Sequence, residues 1–268
     1  MSKINIIVAT DFSPAANNAL EYGIAAAREI GGQVIVFHLY KMSSHVANSR
    51  ISARALDDFL LQKKAAFEGK INQLAETKGV TLIPVVRMGD FLPELEQLIE
   101  EYNARLLILG MPQKSIEQDL LGNTTTAAIY SLKFPILSIP DGVRYTGIKH
   151  ILYACDMKRG VHATVLSRVK DYAHQFGAVV EVLHVGRLPG AEETKYTIDK
   201  ELEDTPHFYK EVNAEGVVKS ILAEARSAQA DIIIMTPHRY GFWSSLFHRS
   251  KTRAMASNGS IPLLTIAY

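Results

Sequence analysis

The sequence of 268 residues is long enough for two domains of ordinary size or for one large domain. Its 29 Lys and Arg residues are balanced by 28 Asp and Glu residues, and a formal net charge of +1 argues against a nucleic-acid-binding protein held by a broad basic surface. The composition, with 47% hydrophobic and 21% charged residues, is typical of a globular protein and excludes disorder over much of the chain.

The longest apolar runs, such as residues 4–9 and 106–110, have the length of strands and fall short of the roughly 18 residues needed to span a membrane. The N-terminus leads directly into the first of these runs, which leaves no room for a secretory signal. Cys155 is the only cysteine, so an intrachain disulfide and a zinc site built on several thiolates are excluded. We therefore expect a cytoplasmic protein that binds neither membranes nor nucleic acids.

The predicted elements alternate between strands and helices. A strand at residues 4–9 is followed by a helix for which Ser13 is a suitable N-cap, with Pro14 in the first helical position. A long amphipathic helix is predicted over residues 51–77, and another over residues 94–102. The apolar runs between the helices lack polar alternation, as in strands that are buried on both faces of a parallel sheet.

The second half of the chain repeats the first. Four segments match in the same order in both halves, and they carry shared Asp, His and Pro markers: 4–11 with 149–156, 31–39 with 177–185, 104–110 with 230–236, and 134–139 with 261–266. We predict one type of domain used twice, over residues 1–141 and 148–268, with the boundary in the turn-rich segment 140–147. The fold class is α/β, with two tandem doubly wound parallel sheets of five strands each, of the Rossmann-like type.

Ligands of such sheets bind beyond the carboxyl ends of the strands, where the strand order reverses. Asp11 and Asp156 follow the first strand of each copy, where a carboxylate can accept a hydrogen bond from a ligand or can stabilise the turn into the next helix. Both interpretations stay open for Asp11. For Asp156 the turn is favoured, because bulkier residues follow it. His38 and His184, at repeated strand ends, are interpreted as core or cleft residues.

The loop after the fourth strand is a candidate phosphate site. Gly110 permits close approach of a ligand to the backbone, and the hydroxyl residues that follow Gly122 offer free N–H donors at the start of a helix. The same run also fits an ordinary helix cap. A second candidate is the basic and aromatic segment 238–251, which can contact an anion or a partner protein or can be a solvated loop that packs its own aromatic residues.

Together these segments resemble the universal stress protein family in its tandem two-domain form. The matching segments of the first copy are VATDFSP, VIVFHLY, LLILG and FPILSIP, and those of the second are ILYACD, VEVLHV, ADIIIMTPHRYGFWSSLFHRSKT and IPLLTIAY. The resemblance covers nearly the whole chain. It implies the adenine nucleotide alpha hydrolase-like variant of the fold, and an intrachain pseudo-dimer in which the edge strands at residues 136–139 and 263–267 take part. Whether two chains also form a homodimer is left open by the sequence.

Family members that bind ATP share a loop of the form G-x2-G-x9-G-[ST], with the adenine and ribose near the first-strand Asp and the end of the second strand. Here Gln113 stands in place of the second glycine, and Gly122 matches the third glycine one residue early. The second copy departs further, with Thr236 and Arg239 in place of the first two glycines. The binding residues that the resemblance implies in domain 1 are Ala9, Asp11, Leu39, Gly110, Met111, Gly122, Asn123, Thr124 and Thr125.

The resemblance implies a cytoplasmic stress-response or signalling module that binds ATP with Mg²⁺, or another adenine nucleotide, in domain 1. The sequence contains no nucleophile elbow, metalloprotease motif or complete Walker loop, so we name no catalytic residue and no metal ligand. Two alternatives stay open: a slow ATPase or nucleotide-utilising enzyme acting in the same cleft, and an interaction scaffold without a small ligand.

Overall fold

The computed structural model describes residues 3–40, 53–111, 124–157, 161–186, 192–213, 216–236 and 261–267. The first half consists of β1 (Asn5–Ala9), α1 (Pro14–Glu29), β2 (Gln33–Tyr40), α2 (Ala53–Lys78), β3 (Leu82–Met88), α3 (Phe91–Glu101), β4 (Leu106–Met111), α4 (Thr124–Ser131) and β5 (Ile136–Pro140). The second half consists of β6 (His150–Ala154), α5 (Ala163–Phe176), β7 (Val179–Val185), α6 (Glu192–Glu201), β8 (His207–Val212), α7 (Val217–Ser227), β9 (Ile232–Met235) and β10 (Leu263–Thr265).

The ten strands form one sheet in the order β3-β2-β1-β4-β5-β10-β9-β6-β7-β8. Strands within each half are parallel, and the halves join where β10 pairs antiparallel with β5, with Leu264 opposite Leu137. The predicted α/β fold class is confirmed, and its two five-stranded sheets are continuous with each other. The predicted contact between the two edge strands is also confirmed, and it covers apolar strand edges that would otherwise be open to pairing with another chain.

Helices cover both faces of the sheet. The residues of α1, α2, α5 and α6 pack into one apolar cluster, and those of α3, α4 and α7 pack into the other. Strand residues alternate between the two clusters, so Ile7 faces one while Ile6 and Val8 face the other, and all three are at most 1% exposed. This burial on both faces explains the uninterrupted apolar runs of the sequence. Of the helices in the described ranges, none has the length and apolar character required to cross a membrane.

The helix starts show where local sequence rules hold. Ser13 caps α1 as predicted, because its Oγ accepts a hydrogen bond from the Ala16 N–H at 3.3 Å. The helix predicted over residues 94–102 begins three residues earlier, at Phe91. Pro93 is tolerated there because the first turn of a helix has no partner for the N–H that proline lacks.

The segment between β5 and β6 has no regular secondary structure but lies against α1. The Asn18 side-chain amide donates hydrogen bonds to the carbonyl oxygens of Pro140 and Val143, at 3.1 and 3.0 Å. The Tyr145 hydroxyl donates to Glu29 at 2.9 Å, and its ring packs edge-on against Tyr22. The connection between the two halves is therefore held on the surface of the first.

The second half contains a buried ionisable group where the first half is apolar. Glu181, which matches Ile35 in the repeat, is 1% exposed, and its Oε2 lies 3.1 Å from His150 Nε2. Burial and the charge of Glu224 raise the pKa of Glu181, and the opposing effect of His150 and Lys210 does not cancel them. The two halves thus share a backbone plan but differ in the chemistry of their cores.

Candidate functional site

The strand order of the first half reverses between β1 and β4, which places a crevice beyond the carboxyl ends of these strands. Ala9 closes β1, and Gly110 and Met111 close β4. Leu39 lies near the end of β2, which pairs with β1, and Thr125 lies in the first turn of α4 and reaches β4 through its side chain. Of the remaining predicted residues, Thr124 begins α4, while Gly122 and Asn123 lie outside the described residues.

Asp11 stabilises the turn between β1 and α1. Its Oδ1 accepts a hydrogen bond from the Ser13 N–H at 2.9 Å, and the buried Thr10 hydroxyl accepts one from the Phe12 N–H at 3.0 Å. The Asn17 amide donates to the Phe12 carbonyl at 3.0 Å. The turn interpretation of Asp11 is therefore confirmed. A ligand role is compatible with it, because Asp11 is exposed.

The electrostatics of the turn keep Asp11 ionised. Partial burial acts to raise the pKa of its carboxyl group, but the hydrogen bonds from Ser13 and the nearby His38 outweigh this effect and hold the pKa below its usual range. The site therefore presents a carboxylate, which can accept hydrogen bonds but cannot donate them, at neutral pH.

Gly110 is required by the packing of the protein itself. A Cβ atom at this position would lie 2.6 Å from the carbonyl carbon of Ala15 and 2.9 Å from the Ala16 nitrogen, so the first turn of α1 rests directly on β4. The Thr125 hydroxyl donates to the Gly110 carbonyl oxygen at 3.3 Å. The close backbone approach predicted at Gly110 thus exists between two protein segments, whereas approach by a ligand stays a prediction.

An aromatic cluster at the end of β2 was not predicted. The His38 Nδ1 donates to the Thr10 carbonyl oxygen at 2.6 Å, since a carbonyl can only accept. Phe67 of α2 stacks on the His38 ring, with centroids 5.6 Å apart, and Phe12 contacts both rings. Lys70 places its ammonium group 3.6 Å from the centre of the Phe12 ring. In the sequence, Phe67 and Lys70 are ordinary positions of an amphipathic helix, and only the position of His38 at a strand end pointed to this cluster.

The equivalent turn of the second half is covered by a helix. Met157 is 3% exposed and packs into the apolar core, and its N–H donates to His184 Nδ1 at 3.3 Å. Thr194 of α6 donates to the Met157 carbonyl oxygen at 3.1 Å. His184 is 2% exposed, as expected of a core residue. The segment that follows Thr236, including the basic segment 238–251, lies outside the described residues.

Cys155 is unsuited to thiolate chemistry. Burial, followed by the negative charge of Asp156, raises the pKa of its thiol to about 12, so the thiol is protonated at neutral pH. The described residues also contain no group of three His, Cys, Asp or Glu side chains arranged to hold a metal ion.

A sequence profile described as the universal stress protein family matches residues 4–140, which is just over half of the chain. The chain belongs to the universal stress protein family. The predicted resemblance is confirmed, and the matched region spans β1 to β5, including all the predicted binding residues. The second half repeats the same strand order in the same sheet.

Solved structures of universal stress proteins share this fold. One from Archaeoglobus fulgidus DSM 4304 matches 98% of this chain and 96% of its own, with a TM-score of 0.73 and 17% identity. A protein of Pseudomonas aeruginosa UCBPP-PA14, described as a universal stress protein, matches 99% of this chain and 94% of its own, with a TM-score of 0.59 and 14% identity. At these identities the likeness is one of fold. None of the curated proteins matches the chain.

Proposed function

We propose that this universal stress protein is a cytoplasmic stress-response or signalling module that binds ATP or another adenine nucleotide in its first half, without efficient catalysis. The observation that carries the proposal is the exposed and ionised carboxylate of Asp11 at the reversal of strand order. Such a crevice is where doubly wound sheets bind nucleotides.

In this proposal Asp11 accepts hydrogen bonds from the ribose or adenine, with Ala9 and Leu39 beside it at the ends of β1 and β2. The phosphates lie near Gly110, Met111 and residues 122–125, and they carry Mg²⁺ with them. Two features support an anionic ligand at this edge. Helices α1 and α4 begin there. In addition, the ammonium group of Lys70 on α2 lies over the ring of Phe12, which belongs to the same turn as Asp11.

The second half is proposed to bind no nucleotide. Its first-strand turn is held under α6 by the bond from Thr194, and Met157 lies in the core. Asp156 therefore follows β6 in a turn that is packed differently from the turn containing Asp11. The two aspartates form a matched pair for an experiment, because the same substitution can be made in both halves of one chain.

The test is the affinity for ATP with Mg²⁺, measured by isothermal titration calorimetry on the full chain and on Asp11→Asn. Asparagine retains the side-chain oxygen that accepts from the Ser13 N–H but replaces the second oxygen with an NH₂ donor. We expect Asp11→Asn to lose about tenfold in affinity, the effect of one hydrogen bond to a charged group. A modest loss of stability is also expected, because the ionised carboxylate, whose pKa is lowered in the fold, is replaced by a neutral amide. Asp156→Asn is the control and should bind as the wild type does.

Two results would contradict the proposal. If the folded wild type releases no heat with ATP, ADP or AMP, the protein does not act through an adenine nucleotide, and the scaffold alternative gains. If Asp11→Asn binds ATP with wild-type affinity, Asp11 serves the turn alone. Phosphate release is measured on the same samples. Bound ATP that stays intact over hours supports a sensing module, whereas steady turnover supports the slow ATPase.

A further inference from the structure

A second cavity lies between the two halves of the molecule, away from the strand ends of the proposed nucleotide site. It has a volume of about 810 Å³, within the range of about 300–1,000 Å³ that is usual for small-molecule sites. Helix α1 of the first half forms one wall and α5 of the second half forms the other. The floor consists of aliphatic strand residues from both halves, among them Ile6, Leu106, Leu137, Ile151, Ile234 and Leu264.

One end of this cavity is positively charged. Arg168 on α5 and Arg105, which precedes β4 and is exposed, line it together with the carboxylate of Asp171. Neither arginine side chain forms an ion pair or a hydrogen bond with the described residues. The Nη1 atom of Arg168 is buried and has no hydrogen-bond partner. A buried guanidinium nitrogen without an acceptor is costly. Burial raises the pKa of the nearby Tyr172 hydroxyl to about 12; Arg168 and Arg105 act to lower this pKa, and Asp171 acts to raise it.

The opposite end of the cavity differs in its charged residues, although the repeat places equivalent positions at the two ends. Tyr22 on α1 takes the place that Arg168 has on α5, and Asp231 at the start of β9 takes the place of Arg105. Burial and the charge of Asp231 together raise the pKa of Tyr22. Asp231 is itself engaged, because its Oδ2 accepts from the backbone N–H groups of Lys149 and His150 at 2.6 and 2.9 Å. The cavity therefore offers an anion site at one end only.

The width of the cavity also follows from the repeat. Ala26 on α1 is equivalent to Tyr172 on α5, and both line the cavity. The small side chain on one wall leaves space that a second tyrosine would fill. An elongated apolar molecule can lie over the aliphatic floor, and burying its surface would contribute roughly 25 cal/mol per Å².

We propose that this cavity binds an amphipathic carboxylate of the fatty-acid class, with the apolar chain over the sheet and the carboxylate on Arg168, assisted by Arg105. A guanidinium matches the planar geometry of a carboxylate and can bind it through two parallel hydrogen bonds. Residues of both halves line the site, so it exists only when the two halves of the chain pack together. It does not depend on nucleotide binding.

Calorimetry with dodecanoate, kept below its micellar concentration, tests the assignment on the full chain. We expect one dodecanoate per chain, and binding of 1-dodecanol that is weaker by about tenfold because the alcohol lacks the charge. Arg168→Gln should weaken dodecanoate binding by the same factor and leave the affinity for 1-dodecanol unchanged. The affinity of Arg168→Lys for dodecanoate should lie between those of the wild type and Arg168→Gln. Arg144→Gln removes an exposed cation that does not line the cavity and should bind as the wild type does.

A space-filling pair tests the location. Ala26→Phe should abolish binding of both probes, while Ala25→Phe, one residue along α1 and not in the cavity lining, should preserve it. Urea unfolding confirms that each variant is folded. The proposal is overturned if folded wild type does not bind dodecanoate, if Arg168→Gln binds it unchanged, or if dodecyl phosphate binds more tightly than dodecanoate. Titration of Asp11→Asn with dodecanoate should give the wild-type result, which separates this site from the nucleotide site.

Discussion

Substituting Gly110 with alanine tests the packing on which the candidate site rests. The added Cβ would lie 2.6 Å from the carbonyl carbon of Ala15 and 2.9 Å from the Ala16 nitrogen, whereas ordinary contacts begin at 3.4 Å. These two atoms and the Ala15 carbonyl oxygen, which would be closer still, are backbone atoms of α1 and cannot rotate away as a flexible side chain can. Either α1 or β4 would have to move by about 0.8 Å, which disturbs packing that is close to maximal density.

The cost of this movement can be estimated. Overpacking in a core typically costs about 1–3 kcal/mol, and a clash with helix backbone belongs at the upper end, so we expect a loss of about 3 kcal/mol. That is a large share of the roughly 5–15 kcal/mol that stabilises an ordinary domain. Urea unfolding followed by circular dichroism should show a lower midpoint with an unchanged slope. Because a displaced α1 moves the turn at Asp11, ATP affinity should fall as well.

Gly69→Ala is the matched control. Gly69 is exposed in the interior of α2, and a Cβ there would have no neighbour within 4 Å. The same substitution should therefore stabilise the protein by about 0.5–1 kcal/mol through the higher helix propensity of alanine. A Gly110→Ala protein as stable as the wild type would refute the close contact between α1 and β4.

Three other predictions concern single side chains. Ser13→Ala should lower the free energy of unfolding by about 1 kcal/mol, because the cap to the Ala16 N–H is lost, and an unchanged urea midpoint would count against that cap. Cys155 should react with a disulfide reagent at pH 7.5 only after unfolding in urea, since its thiol pKa is raised to about 12, and prompt reaction of the native protein would contradict this raised pKa. The raised pKa of Glu181 stabilises the folded state at low pH, and this contribution is lost as the pH rises from the ordinary value of 4.5 through the higher folded-state value. Relative to Glu181→Gln, wild-type stability should thus fall with increasing pH, and a constant difference between pH 4.5 and 7.5 would show that the carboxyl group is not perturbed.

The fold was predictable because its signals are local and occur twice. Apolar runs without alternation identified the central strands, and the matched Asp and His positions set the repeat. The cap at Ser13 follows from the residue type at one position. These features depend on which residues neighbour each other along the chain, and the sequence contains that information directly.

The site was predictable only in part, because its decisive contacts join distant segments. The sequence predicts a ligand contact at Gly110, but the atoms that a Cβ at this position would meet are backbone atoms of α1. Phe67 stacks on His38 across 29 positions of sequence, and the helical pattern of α2 cannot reveal that contact. The charge of Arg168 becomes informative only after the antiparallel join of β5 and β10 brings the two halves together.

The stoichiometry of ATP binding shows directly whether each chain has one nucleotide site. Native mass spectrometry of the full chain with increasing ATP and Mg²⁺ counts bound nucleotides without assuming which residues bind them. We expect a single ATP per chain at saturation, reached at about tenfold higher ATP concentration in Asp11→Asn and at the wild-type concentration in Asp156→Asn. Two equivalent ATP molecules per chain, or none, would contradict this expectation.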